Sequence, residues 1–148
     1  PTSMQAKHCF VAASLAQVSK NSFVWDPFCG SGSILLAAGH WGAVCIGSDF
    51  HLDHRIKANF KRFGQEVLLC YQGDLAKPPL RSQSSLGLFD AIVCDPPYDV
   101  REKVILTSTP PPEAKSNDIT NASTLRFLRI MTQLLNSASK YLKPGSRL

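Results

Sequence analysis

The sequence predicts an α/β domain in which a mostly parallel sheet carries helices on both faces. Three observations lead there. Runs at 23–25, 43–48, 67–71 and 88–94, each predominantly apolar, alternate with helical segments, as strands do when helices bury both sides of a sheet. The first run, Phe23-Val-Trp25, passes through the Gly-rich turn Asp26-Pro-Phe-Cys-Gly30-Ser-Gly32 into the helical stretch Ser33–Ala38. Finally, an acidic residue stands at or just beyond the end of each run: Asp26, Asp49, Asp74 and Asp95.

In chain order, a helix is expected from Gln5 to Val18, with Thr2 as its cap and Gln5 three residues on. Strand 23–25, helix 32–40 and strand 43–48 follow. A helix over 51–63 presents Leu52, Ile56, Phe60 and Phe63 as one apolar stripe, and Gly64 stops it. After strands 67–71 and 88–94 comes a long Pro/Ser/Thr-rich segment, 102–120, containing Thr109-Pro-Pro-Pro112. Loops of that length are functional lids or disordered. The last helix is expected over 121–141. There are no internal repeats.

Composition sets bounds. At 148 residues and 44% hydrophobic, the chain is one domain with room for a core. Sixteen Lys+Arg against eleven Asp+Glu give +5, a balance that favours a polyanionic partner and also suits many ordinary proteins. Arg55, Lys57, Lys61 and Arg62 share the helix at 51–63, where a solvated face is the default, while Arg101 and Lys103 follow the acidic tetrapeptide at 95–98. No run reaches the roughly eighteen to twenty apolar residues of a membrane span. The five cysteines include no Cys-x-x-Cys pair; Cys45, Cys70 and Cys94 read as core thiols of a reducing compartment. His51 and His54 lack a third metal ligand. Asn121-Ala-Ser123 matches a glycosylation sequon, a coincidence in a cytosolic or nuclear protein.

The chemistry lies in the turns. A strand, Gly-rich turn and helix bring backbone close to a nucleoside-type cofactor, and Gly30 and Gly32 supply permissive dihedrals without a Cβ. A phosphate site fits poorly: Leu35 stands where GxGxxG has its third glycine, no Gly-Lys-Ser/Thr follows, and Asp26 would repel pyrophosphate. A carboxylate there suits a cationic ligand, and a plain tight turn is the competing reading. Asp49 stands where a carboxylate bonds ribose hydroxyls, or where it caps the next helix. Asp74 can accept from an adenine amine or close its own turn. In Asp95-Pro-Pro-Tyr98 the carboxylate and the Pro96 carbonyl can accept from an exocyclic amine while Tyr98 stacks on its ring; a Pro-fixed turn is the alternative.

The order of these motifs resembles a class I S-adenosylmethionine-dependent methyltransferase that modifies amino groups. More closely, Asp26-Pro-Phe-Cys-Gly-Ser-Gly32, Asp95-Pro-Pro-Tyr-Asp-Val-Arg-Glu102 and the opening Pro1-Thr-Ser-Met4 resemble the eukaryotic and archaeal tRNA guanine-10 N2-methyltransferases. That family usually has glycine after the tyrosine, where this chain has Asp99. The resemblance implies a Rossmann-like fold whose C-terminal strands are missing, residues 1–148 being part of a catalytic domain that stops where a fifth strand would begin. It thereby implies that strand 88–94 becomes an exposed, aggregation-prone edge, and that the fragment is inactive. It also implies S-adenosylmethionine held by Asp26, Phe28, Gly30, Gly32, Asp49, Phe50 and Asp74, and catalysis by Asp95, Pro96, Pro97 and Tyr98. The implied partners are tRNA and a small zinc-binding activator subunit at the outer strand 67–71, and the setting is cytoplasmic or nuclear. Adenine, cytosine and glutamine amines are alternative acceptors. A non-catalytic RNA-binding subunit and a nicotinamide-dependent oxidoreductase are readings from other classes.

Overall fold

The computed structural model of the protein describes residues 4–80, 86–97 and 119–148, with only the backbone for 119–123. The Thr2 cap, Tyr98, Asp99, Arg101, Glu102, Lys103, the prolines at 110–112 and the sequon's side chains lie outside the described residues.

Among the described residues, five parallel strands form one sheet in the order β3-β2-β1-β4-β5. They are β1 (Phe23–Asp26), β2 (Val44–Asp49), β3 (Leu69–Gln72), β4 (Phe89–Ile92) and β5 (Leu142–Arg147). The helices are α1 (Ala6–Leu15), α2 (Ser33–His40), α3 (Ile56–Arg62) and α4 (Ile119–Tyr141). Alternation along the strands divides the interior in two. Val24, Cys45 and Ala91 pack with Cys9, Leu35, Ile56 and Phe60 from α1 to α3, while Trp25, Ile46 and Ile92 pack with Leu134, Ala138 and Tyr141 from α4. The sheet is covered on both faces, as the apolar runs require. On the α4 side Trp25 stacks on Phe89 with ring centres 5.4 Å apart, and its Nε1 donates to Ser48 Oγ at 3.0 Å.

Some boundaries differ from expectation. α1 ends at Leu15 rather than Val18, and Gln17 has φ of 56°. α3 begins at Ile56 rather than 51: Asp49 Oδ1 first accepts the His51 N–H, and Asp53 Oδ1 then accepts the Arg55 N–H. Asp53 thus closes the turn that leads into the helix, whose N-cap is Arg55, and Asp49 is left to the turn before it. Phe63 falls past the helix end and is exposed, so it drops out of the apolar stripe that Ile56 and Phe60 bury.

The principal correction concerns the C-terminus. Leu142–Arg147, where a fifth strand was expected only to begin, forms β5 alongside β4. β4 is thus flanked by β1 and β5, not an exposed edge, and the sheet's outer strands are β3 and β5. The Leu88 N–H donates to Tyr141 O at 2.7 Å, Lys143 Nζ to Asp90 Oδ1 at 2.6 Å and Ser146 Oγ to Phe89 O at 3.3 Å. An added Cβ on Gly87 would run into the Leu142 carbonyl, so only glycine lets the chain enter β4 so close to β5.

Candidate functional site

The C-terminal ends of parallel strands are where α/β sheets bind ligands, and here they gather the predicted carboxylates. Asp26 ends β1 and is 1% exposed. Its Oδ1 accepts the Phe28 N–H at 3.0 Å, which bends the chain out of the strand. Cys29 N–H donates to Ser48 O at 2.9 Å and Gly32 N–H to Cys29 O at 2.7 Å, tying the turn to β2 and closing it onto α2. From the far side Asn59 Nδ2 donates to Ser31 O at 2.9 Å.

The two glycines of this turn serve different ends. Gly30 has φ of +46°, and an added Cβ would meet nothing within 4 Å, so its backbone faces open space. Gly32 has φ of +87°, and a Cβ there would come 2.8 Å from Ile56 Cγ1 and 3.0 Å from Phe60 Cε2. Its absent side chain admits α3, whereas the gap over Gly30 is open to a ligand.

Asp49 ends β2, half-buried, with both carboxylate oxygens engaged. Oδ2 accepts the Gly30 N–H at 2.9 Å and Oδ1 the His51 N–H at 3.0 Å. Phe50, beside it, meets the His51 ring edge-on at 4.9 Å. Gly73 N–H donates to Asp49 O at 2.9 Å, which brings the β3 end alongside. Asp74 closes its own turn there, its Oδ1 accepting the Ala76 N–H at 2.9 Å. Phe28 packs on the α4-side core.

Asp95 follows β4 and is exposed, with Pro96 buried behind it and Pro97 half-buried. Burial, first, and then the nearby charges of Asp49, Asp95 and Cys70 push the Asp26 pKa up to about 8, against the lowering effect of the Phe28 N–H. Asp26, Asp49 and Asp95 therefore share one electrostatic environment. With Asp26 holding its proton up to about pH 8, the carboxylates of Asp49 and Asp95 disfavour an anion and favour a ligand bearing positive charge, which in turn would favour ionised Asp26. Together with the gap over Gly30, this donor set fits the nucleoside cofactor expected from the sequence.

The sequence reading overlooked Asn59. Its signal is a polar residue on the apolar stripe, three beyond Ile56 and one before Phe60. Among the described residues no group of three His, Cys, Asp or Glu side chains has the arrangement of a metal site, and no helix is long and apolar enough to cross a membrane.

No family model matches the chain. Among curated proteins it is 37% identical to the tRNA (guanine(10)-N(2))-methyltransferase of Saccharomyces cerevisiae over 76% of this chain and 28% of that protein. It is 33% identical to tRNA (guanine(10)-N(2))-methyltransferase TRMT11 of Gallus gallus over 99% of this chain and 37% of that protein. The chain thus spans about a third of the length of the curated relatives it matches. Among solved structures, TrmN from Thermus thermophilus superposes with a TM-score of 0.62 at 18% identity, covering 98% of this chain and 37% of that one. A SAM-dependent O-methyltransferase from Thermotoga maritima does so with a TM-score of 0.54 at 13% identity, covering 66% of this chain and 37% of that one. Likeness at these identities concerns the fold.

Proposed function

We propose, because this chain is a relative of the tRNA (guanine(10)-N(2))-methyltransferases with the class I methyltransferase fold, that it transfers a methyl group to the exocyclic amine of a guanosine in tRNA. One observation carries the reading. Asp95-Pro96 leaves the inner strand β4, next to the central β1, at the same sheet end as the open Gly30 turn, close enough for Asp95 to raise the Asp26 pKa.

S-adenosylmethionine, when bound, supplies an electrophilic methyl carbon. Asp49 and the Gly30 backbone would hold its nucleoside, with Phe28, Phe50 and Asp74 around the base and Asp26 near its positive charge. Gly32 serves the site indirectly, through α3 packing. An exocyclic guanine amine is a poor nucleophile because its lone pair is delocalised into the ring. The Asp95 carboxylate and the Pro96 carbonyl accept from its two N–H groups and favour a pyramidal nitrogen, while Pro97 and Tyr98 fix the ring. Orientation of this kind is worth several kcal/mol, on the order of the lower end of measured proximity effects. On methyl transfer Asp95 would stabilise the positive charge that develops on the amine nitrogen and take its proton, which becomes acidic only then. In duplex RNA the amine lies in the minor groove, so the base must leave the stack at a cost of about a few kcal/mol.

Residues 1–148 would then be part of the catalytic domain of a cytoplasmic or nuclear protein. A small zinc-binding activator subunit, implied by the resemblance, would pair with the outer strand β3, where Leu68 and Leu69 are exposed. The test is incubation of the full-length protein with tRNA and S-adenosylmethionine, followed by mass spectrometry of the nucleosides. N2-methylguanosine is expected. A methylated adenosine or cytidine would overturn the acceptor, and RNA binding without any methylation would favour a non-catalytic subunit. Tight binding of NAD in place of S-adenosylmethionine would favour the oxidoreductase.

A further inference from the structure

We infer that Cys29, in the cofactor turn, and Cys70, on the outer strand β3, close to a reversible disulfide that distorts the turn and lowers its affinity for ligand. The effect on S-adenosylmethionine rests on the cofactor reading above; the disulfide and the distortion do not. Gly47 of β2 makes the meeting possible. It is the register partner of Cys70 across β2 and β3, and a Cβ placed on it would lie 3.0 Å from Cys29 Sγ and 3.1 Å from Cys29 Cβ. With no side chain at 47, Cys29 and Cys70 approach the space over that residue from either side, both in the core cluster on that face of the sheet. Both are free cysteines, Cys29 5% exposed and Cys70 half-buried on the sheet's outer strand.

The pair is also asymmetric. Each thiol perturbs the other, and the pKa of Cys29 is raised while that of Cys70 is lowered. The Gly47 backbone and the Lys57 charge lower Cys70 further. Cys70 is therefore the more accessible sulfur and the first to ionise, as a peroxide-reactive cysteine must be.

The oxidant is hydrogen peroxide or an organic hydroperoxide. The Cys70 thiolate attacks the peroxide, the O–O bond breaks, and Cys70 becomes a sulfenic acid while the released hydroxide or alkoxide takes a proton. Cys29 sulfur then attacks Cys70 sulfur: an S–S bond forms, the S–O bond breaks, and hydroxide leaves with the Cys29 proton as water. Two electrons pass from the thiols to the peroxide, and hydrogen peroxide yields two waters. An S–S bond of about 2.05 Å draws the sulfurs well inside their contact distance. Cys29 cannot follow without disturbing its N–H bond to Ser48 O and the Gly32 N–H bond to its own carbonyl.

The experiment treats the protein with hydrogen peroxide, blocks free thiols and maps cross-linked peptides by mass spectrometry. Hydrogen exchange at residues 28–32 and calorimetry with S-adenosylmethionine are measured before and after dithiothreitol. A Cys29–Cys70 link, faster exchange in the turn and an affinity lowered about tenfold, as for one lost hydrogen bond, all reversed by dithiothreitol, are expected. Cys70→Ser should keep the reduced protein's affinity and ignore peroxide. No 29–70 link, a link through another cysteine, or a link with unchanged exchange overturns the inference. If the reduced protein fails to bind S-adenosylmethionine, the cofactor reading falls, and the link and the exchange still decide the switch.

Discussion

Asp49 Oδ2 accepts the Gly30 N–H at 2.9 Å, so the carboxylate expected to meet a ribose is the same group that holds the glycine turn in place. Because its other oxygen takes the His51 N–H, Asp49 bridges the ends of two loops before any ligand arrives.

Asp49→Ala should accordingly weaken S-adenosylmethionine binding by about 1–3 kcal/mol, the range for a lost hydrogen bond to a charged group, and should loosen the turn. Asp49→Asn should fall between, since an amide has one acceptor oxygen for two N–H donors. Calorimetry reporting wild-type affinity for the alanine variant would remove Asp49 from the site.

Asp95 is exposed and makes no structural bond among the described contacts, so Asp95→Ala should leave stability within about 0.5 kcal/mol and cofactor affinity nearly unchanged. Methyl transfer should be abolished. Asp95→Asn should retain more activity, because an amide oxygen still accepts from the amine. Equal loss in both variants, measured as single-turnover rates, would assign Asp95 a charge or base role instead.

The glycines should separate cleanly. Gly30→Ala incurs about 1–2 kcal/mol for a left-handed residue and fills the open gap, so it should reduce ligand affinity more than stability. Gly32→Ala adds to that strain a close contact with Ile56 and Phe60, worth about 1–3 kcal/mol as overpacking. Urea midpoints and binding isotherms for the two variants check the contrast; identical behaviour would contradict it.

Asp26 predicts an unusual pH dependence. Its folded-state pKa of about 8 lies above the ordinary carboxylate value. The stability it contributes is therefore fully present below pH about 4 and is lost as pH rises toward 8, because only the unfolded chain releases the proton in that window. Asp26→Asn keeps an acceptor for the Phe28 N–H and should remove this loss. Denaturation midpoints at pH 5, 7 and 8.5 measure it, and parallel trends in both proteins would refute it.

Asp90 joins three strands, its Oδ2 accepting the Phe23 N–H of β1 at 2.8 Å and its Oδ1 the Lys143 ammonium of β5 at 2.6 Å. Burial raises its pKa, but those two bonds outweigh it and the net shift is downward. The stability it contributes is thus present above the usual carboxylate pKa and lost as pH falls through the lowered value. Asp90→Ala should cost about 1–3 kcal/mol, and Lys143→Ala under about 1 kcal/mol, since that pair is partly exposed. Removing residues 142–148 should turn β4 into an apolar edge and promote aggregation, followed by light scattering.

Local pattern was enough for much of this molecule. The apolar runs, the 3.6-residue stripe of Ile56 and Phe60, and the turn around Gly30 depend on residues close in sequence, and so do the carboxylates at the strand ends. Their convergence also follows from local rules, because parallel strands place all their C-terminal ends on one side. Only the tertiary structure decided the rest. Leu142-Lys-Pro-Gly-Ser-Arg147 has a Pro-Gly turn signal and no apolar run; it becomes a strand because β4 offers unpaired backbone and Asp90 offers Lys143 a partner. Gly30 and Gly32 look equivalent in sequence, yet one faces open space and the other the side chains of α3, a helix that begins 24 residues later. Backbone pairing and packing between distant segments leave no periodic trace in either partner, so these features are set by what the folded chain brings alongside.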